Sequence, residues 1–151
     1  MSMEFQSKEA MMEVLVATGN ILREALPGGM ADQMGLHVID CDPSNNTAVF
    51  ESAVPPEWMR NPMGWVHGGM IASLLDSSMG IHSSIYSGGA GTPTINLNVS
   101  YLRPTPAGRQ LHIRSRIVKH GVSMVFAEST LWADEETKPC ATATGVFHLP
   151  K

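Results

Sequence analysis

Several classes of protein are excluded by what this 151-residue sequence lacks. No apolar run approaches the roughly 18 residues that a membrane-spanning helix requires. The 10 lysines and arginines are spread along the chain and the formal net charge is −4, so the sequence lacks the clustered basic residues that neutralise nucleic-acid phosphates. We therefore expect neither a membrane protein nor a nucleic-acid-binding protein.

Cysteine and secretory features are equally scarce. Cys41 and Cys140 lie far apart and without CxxC spacing, which favours two free thiols in a reducing compartment over a structural disulfide. The N-terminus carries Glu4, Glu9 and Glu13, where a secretory signal needs basic residues followed by an apolar run. These features predict a cytoplasmic protein.

The sequence also lacks the common motifs of metal and nucleophile chemistry. It contains no GxSxG elbow and no P-loop, and its six histidines show neither HxH nor HxxxH spacing. We therefore expect no metal site. His82 falls on a predicted buried helical face, where a hydrogen-bonded core histidine is the expectation.

What is present predicts one globular domain over residues 1–151, with 43% hydrophobic and 16% charged residues. Residues 8–26 have the periodicity of an amphipathic helix, which ends at Pro27-Gly28-Gly29 and gives residues 1–30 the character of a helical extension. Its apolar stripe needs a sheet edge or a neighbouring subunit to cover it. A second helix, from Gly68 to about Tyr86, is apolar around most of its circumference and is predicted to be buried.

The rest of the chain is dominated by alternating apolar and polar residues, the period of β-strands. Strands are predicted at 35–42, 47–54, 123–133 and 141–149, and around two further runs in which Ile95, Leu97 and Val99 share one face and Leu111, Ile113 and Ile117 share another. Strands segregated around one buried helix predict an α+β fold with an antiparallel sheet wrapped on that helix.

The residues that point to chemistry lie at the start of the second helix. Gly68 and Gly69 leave backbone N–H groups bare at the positive helix end, and such groups can bind an oxyanion or a polarised carbonyl. Asp76 stands in an otherwise apolar helical run, where aspartate is unfavourable. It is either a base or nucleophile in a cleft or part of a solvated stripe with Ser73, Ser77 and Ser83.

The spacing of these features has a geometric consequence. Gly68 and Asp76 are eight residues apart, which is about 12 Å along a helix. Binding a carbonyl and attacking it require groups within about 3–3.5 Å of its atoms. One helix cannot easily supply both groups, whereas two antiparallel copies across a dimer interface can. If both features are catalytic, the active site is shared between subunits.

The segment Asn61…His67-Gly68-Gly69…Asp76, followed by Thr94-Ile95-Asn96-Leu97-Asn98-Val99-Ser100-Tyr101-Leu102-Arg103-Pro104, resembles the hotdog-fold thioesterases of the phenylacetate-degradation (PaaI-like) type. The resemblance covers about residues 35–149. It implies a hotdog fold, in which an antiparallel sheet of five to six strands wraps around a long central helix, here with an extra N-terminal helix. It also implies a homodimer or dimer of dimers that hydrolyses an aryl- or medium-chain acyl-CoA, with no cofactor other than the CoA of the substrate.

The same resemblance implies a role for each matching residue. The Gly68 N–H would bind the thioester carbonyl, His67 would fix that turn, and Asn61 would place the thioester or the water. Asp76 of the partner subunit would activate water or attack directly, and Thr94 would position the water. Substrate binding is expected at residues in or beside the loops near CoA, although simple solvation is the alternative for the basic ones: Gly69, Arg103, Arg109, Lys119, His120 and Gly121.

Two other functions fit a hotdog fold. A 3-hydroxyacyl thioester dehydratase would need a histidine and a carboxylate converging on the substrate, and no typical dehydratase motif is present. A non-catalytic acyl-CoA-binding module usually carries a DNA-binding segment, whereas the N-terminus here is an acidic helix. Trp58 and Trp65 are expected either to line the acyl pocket or to cover the dimer seam.

Overall fold

The structure is a computed structural model that describes residues 5–151. The helices and strands follow one another in the order helix–helix–strand–strand–helix–four strands. Their bounds are α1 Lys8–Glu24, α2 Met30–Met34, β1 His37–Asp42, β2 Thr47–Glu51, α3 Gly68–Ser84, β3 Thr94–Tyr101, β4 His112–His120, β5 Met124–Trp132 and β6 Ala141–His148. Short 3-10 turns lie at Glu57–Met59 and Ile85–Ser87.

The strands form one six-stranded antiparallel sheet in the order β1-β2-β4-β5-β6-β3. α3 packs against the inner faces of β4, β5 and β6, and its apolar residues are buried on most sides. α1 lies beside β1 and α3, so the sheet edge covers its apolar stripe. The predicted α+β hotdog arrangement, with an antiparallel sheet wrapped on a central helix and an extra N-terminal helix, is confirmed.

Close contact between α3 and the sheet depends on Gly145 in β6. A Cβ at this position would lie 2.7 Å from the Phe147 ring and 3.1 Å from the Met79 methyl group. Phe147 and Met79 are both fully buried in the core. Glycine therefore provides the space in which the α3 side chains reach the centre of the sheet.

His82 is a fully buried histidine of α3, as predicted. Its ring nitrogens lie 3.0 Å from Ser115 Oγ and 3.2 Å from Asn46 Oδ1. Because the amide oxygen can only accept, Nε2 carries the proton and Nδ1 accepts from the hydroxyl. Burial lowers the pKa of His82 to about 3, so the ring is neutral at physiological pH. The ring provides hydrogen-bond partners for Ser115 and Asn46 in the core.

β3 is the outer strand at one edge of the sheet, and it departs from the predicted pattern. A register shift between Thr94 and Asn96 leaves Ile95 opposite no residue of β6, and Ile95 is 56% exposed. The sequence predicts that Ile95 shares one face of the strand with Leu97 and Val99, and the bulge interrupts that alternation at Ile95. Leu97 and Val99 pack against the core.

Candidate active site

A histidine, His67, caps the N-terminus of α3, where serine, threonine, aspartate or asparagine is more common. His67 has an extended backbone, and its Nδ1 accepts a 2.8 Å hydrogen bond from the Gly69 N–H. Because Nδ1 accepts, the neutral ring carries its proton on Nε2. Within residues 5–151 the Gly68 N–H has no acceptor. This donor is therefore open at the positive end of a 17-residue helix.

Tyr101 at the end of β3 lies against Gly68. Its hydroxyl donates a 2.7 Å hydrogen bond to the Gly68 carbonyl, and a Cβ on Gly68 would lie 3.3 Å from the Tyr101 ring. The last residue of β3 is thus held at the first residue of α3. Sequence reasoning placed Tyr101 in the family motif but gave it no function, because nothing in the spacing links it to Gly68.

Asn61 belongs to the loop that precedes α3. Its Oδ1 accepts hydrogen bonds from the N–H groups of Met63 at 3.0 Å and Trp65 at 3.1 Å, which hold the loop in a tight turn. The Asn61 Nδ2 group has no partner among the described residues. The amide thus fixes the loop with its oxygen and keeps two N–H donors for a ligand.

Asp76 lies two turns further along α3 and contacts the opposite end of β3. Thr94 Oγ1 donates a 2.8 Å hydrogen bond to Asp76 Oδ1. Asp76 and its neighbour Ser77 are half-buried, whereas Ser83 is fully buried, so these residues do not form one solvated stripe. One carboxylate oxygen is oriented by the threonine hydroxyl, and the other has no partner in the described chain.

Gly68 and Asp76 open into different pockets of the same chain. The Gly68 pocket has a volume of about 430 Å³ and the Asp76 pocket about 260 Å³. Residues that line the Gly68 pocket include Asn61, Met63, Trp65, Ile71, Tyr101 and Arg103. Residues that line the Asp76 pocket include Leu22, Ala31, Met34, Ser77, Gly80 and Thr94. One chain therefore brings Asn61 together with Gly68 and Thr94 together with Asp76, but keeps the two pairs apart.

The residues predicted to bind substrate are distributed over the molecule. Arg103 lines the Gly68 pocket, and Gly69 is held by the His67 cap. Lys119, His120 and Gly121 lie at the turn between β4 and β5. The paired residues Thr94, Phe147, Val125 and His120 form one row across the sheet, so three strand spacings of about 4.8 Å put this turn about 14 Å from Thr94. Arg109 forms an ion pair with Asp134.

The two tryptophans of the loop before α3 lie in different places. Trp65 lines the Gly68 pocket. Trp58 is 73% exposed and lines a third pocket, of about 240 Å³, together with methionines of α2 and α3. Neither tryptophan belongs to the core. Within one chain, each of them lines a pocket.

Two further properties concern residues 5–151 only. In this part of the chain, no group of three or more histidine, cysteine, aspartate or glutamate side chains is arranged to hold a metal ion. No helix there is sufficiently long and apolar to cross a membrane.

Comparison with known proteins gives consistent matches. A sequence model described as "Thioesterase superfamily" matches residues 63–140. Acyl-coenzyme A thioesterase THEM4 of Xenopus laevis is 32% identical over 62% of this chain and 41% of its own length. Acyl-coenzyme A thioesterase 13 of Mus musculus is 29% identical over 62% of this chain and 66% of its own length. The chain thus spans less than two thirds of these curated relatives.

A solved structure covers more of the chain. The phenylacetic acid degradation-related protein of Ralstonia eutropha JMP134 matches with a TM-score of 0.73 and 27% identity, over 87% of this chain and 98% of that one. This match covers more of the chain than residues 63–140.

Proposed function

The chain belongs to the thioesterase superfamily, and from this premise we propose that it is an acyl-CoA thioesterase that hydrolyses an aryl- or medium-chain acyl-CoA to the free acid and CoA. The predicted family resemblance is confirmed by the superfamily match and by the phenylacetic acid degradation-related structure. The observation that carries the proposal is the pairing of an open helix N-terminus at Gly68 with a threonine-bound carboxylate at Asp76.

The proposed site is completed by two copies of the chain. β3 ends the sheet, so its outer backbone groups are available for a second β3. Thr94, which bonds Asp76, begins β3, and Tyr101, which bonds Gly68, ends it. Antiparallel pairing of two β3 strands about a two-fold axis therefore brings Asp76 of one copy towards Gly68 of the other. The exposed Ile95 and Tyr101 give this edge apolar surface to bury.

The proposed chemistry needs three groups around the thioester carbonyl. The Gly68 N–H donates to the carbonyl oxygen and stabilises the negative charge that develops there. Asp76 of the other copy either takes a proton from the attacking water or attacks the carbonyl carbon itself. The C–S bond then breaks, and the CoA thiolate leaves and is protonated. If Asp76 is the nucleophile, this step leaves a mixed anhydride, which water hydrolyses to the free acid and the Asp76 carboxylate.

Positioning groups complete this site. Thr94 fixes one oxygen of Asp76, which leaves the other to face the water or the carbonyl. Asn61 keeps its Nδ2 donors free beside Gly68, where they are able to hold the thioester or the water. His67 holds the helix start rigid by accepting from the Gly69 N–H. Thr94 contacts a reacting group directly, whereas the hydrogen bonds of Asn61 and His67 fix the loop and the helix start around Gly68.

The basic residue of the Gly68 pocket, Arg103, is the candidate for binding a phosphate group of CoA. Arg103 lines this pocket, and its guanidinium can bind a single phosphate group through two hydrogen bonds. Lys119, His120 and Gly121 stay candidates for the outer part of CoA, on the turn at the Asp76 end of the sheet. A homodimer or dimer of dimers in the cytoplasm completes the proposal.

The direct test is release of free thiol from a panel of acyl-CoAs with short, medium, long and phenylacetyl groups. We expect turnover of at least one medium-chain or aryl substrate, with CoA and the free acid as products in equal amounts. Tight binding of acyl-CoA without thiol release would instead favour the non-catalytic binding module. Loss of water from a 3-hydroxyacyl-CoA would favour the dehydratase.

A further inference from the structure

The N-terminal extension forms one wall of the Asp76 pocket. Asp76, Ser77 and Gly80 of α3 line one side, and Leu22 of α1 with Ala31 and Met34 of α2 lines the other. These three residues precede the segment that matches the superfamily, which begins at residue 63. The shape of this pocket therefore depends on a part of the chain that the superfamily match does not cover.

The pocket that contains Trp58 lies on the other side of Met34. It has a volume of about 240 Å³ and is lined mainly by apolar side chains, four of them methionines: Met30, Gln33, Met34, Pro56, Trp58, Met59 and Met70. Met34 is the single residue that lines both this methionine pocket and the Asp76 pocket. Its side chain is thus the partition between them.

The backbone at Met34 is held by hydrogen bonds, and its side chain is buried. The Met34 carbonyl accepts a 2.9 Å hydrogen bond from the Ala53 N–H, and Gly35 ends α2 in a left-handed conformation. The Met34 sulfur lies 4.0 Å from Ser77 Oγ, next to Asp76. Methionine has three rotatable bonds and fills irregular gaps, so the partition is adaptable in its side chain alone.

We propose that the Asp76 pocket holds the acyl group and that Met34 sets the length of acyl chain the enzyme accepts. This inference rests on the proposed thioesterase function. A cavity of about 150 Å³ holds benzene, so by the same ratio 260 Å³ holds a phenyl ring with a short linker or a chain of about ten carbons. A longer chain has to displace Met34 and enter the methionine pocket.

The test compares kcat/KM for butanoyl-, octanoyl-, dodecanoyl- and hexadecanoyl-CoA in the wild type and Met34→Ala. Met34→Ala removes the side chain between the two pockets and joins them. The ratio of kcat/KM for hexadecanoyl-CoA to that for octanoyl-CoA is therefore expected to rise by about tenfold or more. Ala31 is half-buried in the wall of the Asp76 pocket, so Ala31→Leu makes this pocket smaller. The ratio of kcat/KM for octanoyl-CoA to that for butanoyl-CoA is expected to fall by about fivefold. This second variant does not open a core cavity, so it tests the inference even if Met34→Ala unfolds.

Met11→Ala is the matched control, because Met11 is fully buried in α1 but lines neither pocket. It should lower stability as Met34→Ala does while leaving the chain-length ratios unchanged. Unchanged ratios in both pocket variants, with turnover intact, would overturn the inference and leave the thioesterase function standing. Absence of thiol release from every acyl-CoA by the wild type would overturn the proposed function and the inference together.

Discussion

Replacing Asp76 with asparagine is expected to reduce kcat by at least about 10²-fold, the usual lower limit for loss of a general base. This corresponds to at least about 2.7 kcal/mol of transition-state stabilisation. The amide has the shape of the carboxylate, and its oxygen can still accept the hydrogen bond from Thr94. It can neither take a proton from water nor attack the thioester, so the chemical step alone is lost. Thiol release under substrate saturation measures the change.

The control for Asp76→Asn is the same substitution at Asp40. That carboxylate forms an ion pair with Lys8 on the surface, and the hydrogen bond from Lys8 lowers the pKa of Asp40. Exposed ion pairs contribute little to stability, so Asp40→Asn should retain wild-type kcat. A folded, oligomeric Asp76→Asn protein with wild-type kcat would remove Asp76 from the mechanism.

Replacing Gly68 with proline is expected to lower kcat by about 10²–10³-fold relative to Gly68→Ala, the range measured for loss of one oxyanion donor. Gly68 is the first residue of α3, where proline is well tolerated, and His67 already has the extended backbone that a residue before proline requires. Proline removes the N–H, whereas alanine keeps it. Both add a Cβ that meets the Tyr101 ring at 3.3 Å.

The two Gly68 variants distinguish the effect of an added side chain from the effect of changing the backbone N–H. Any loss in Gly68→Ala measures the crowding against Tyr101, and the further loss in Gly68→Pro measures the replacement of the N–H by the proline ring. Thermal unfolding should show similar midpoints for the two variants, because the N–H makes no hydrogen bond within the described chain. Equal kcat values for Gly68→Ala and Gly68→Pro would show that this donor does not act on the carbonyl.

Much of this fold follows from periodicity in the sequence. The alternation in β4, β5 and β6 predicts their buried and exposed faces, because each strand packs one face on α3. α2 was not predicted, since its five residues are too few to show a helical period. The bulge at Ile95 was also missed, because a register shift depends on the neighbouring strand and not on the local pattern.

The candidate site was predictable in its parts but not in its arrangement. A helix that begins at Gly68 and continues through Asp76 follows from the local sequence, and so does the distance between them. The hydrogen bonds from Thr94 to Asp76 and from Tyr101 to Gly68 join residues that are 18 and 33 positions apart. Those contacts depend on how β3 lies along α3, which no spacing rule gives. The position of Met34 between two pockets likewise depends on the packing of α2.

The central claim is that each active site takes Gly68 from one chain and Asp76 from another, and mixing two inactive variants tests it most directly. Gly68→Pro and Asp76→Asn chains would be co-expressed in equal amounts and assayed for thiol release. Random pairing makes about half of the dimers mixed, and each mixed dimer has one intact site of two, so about a quarter of wild-type activity is expected. Activity no higher than that of the separate variants, with mixed dimers shown to be present, would contradict the shared site.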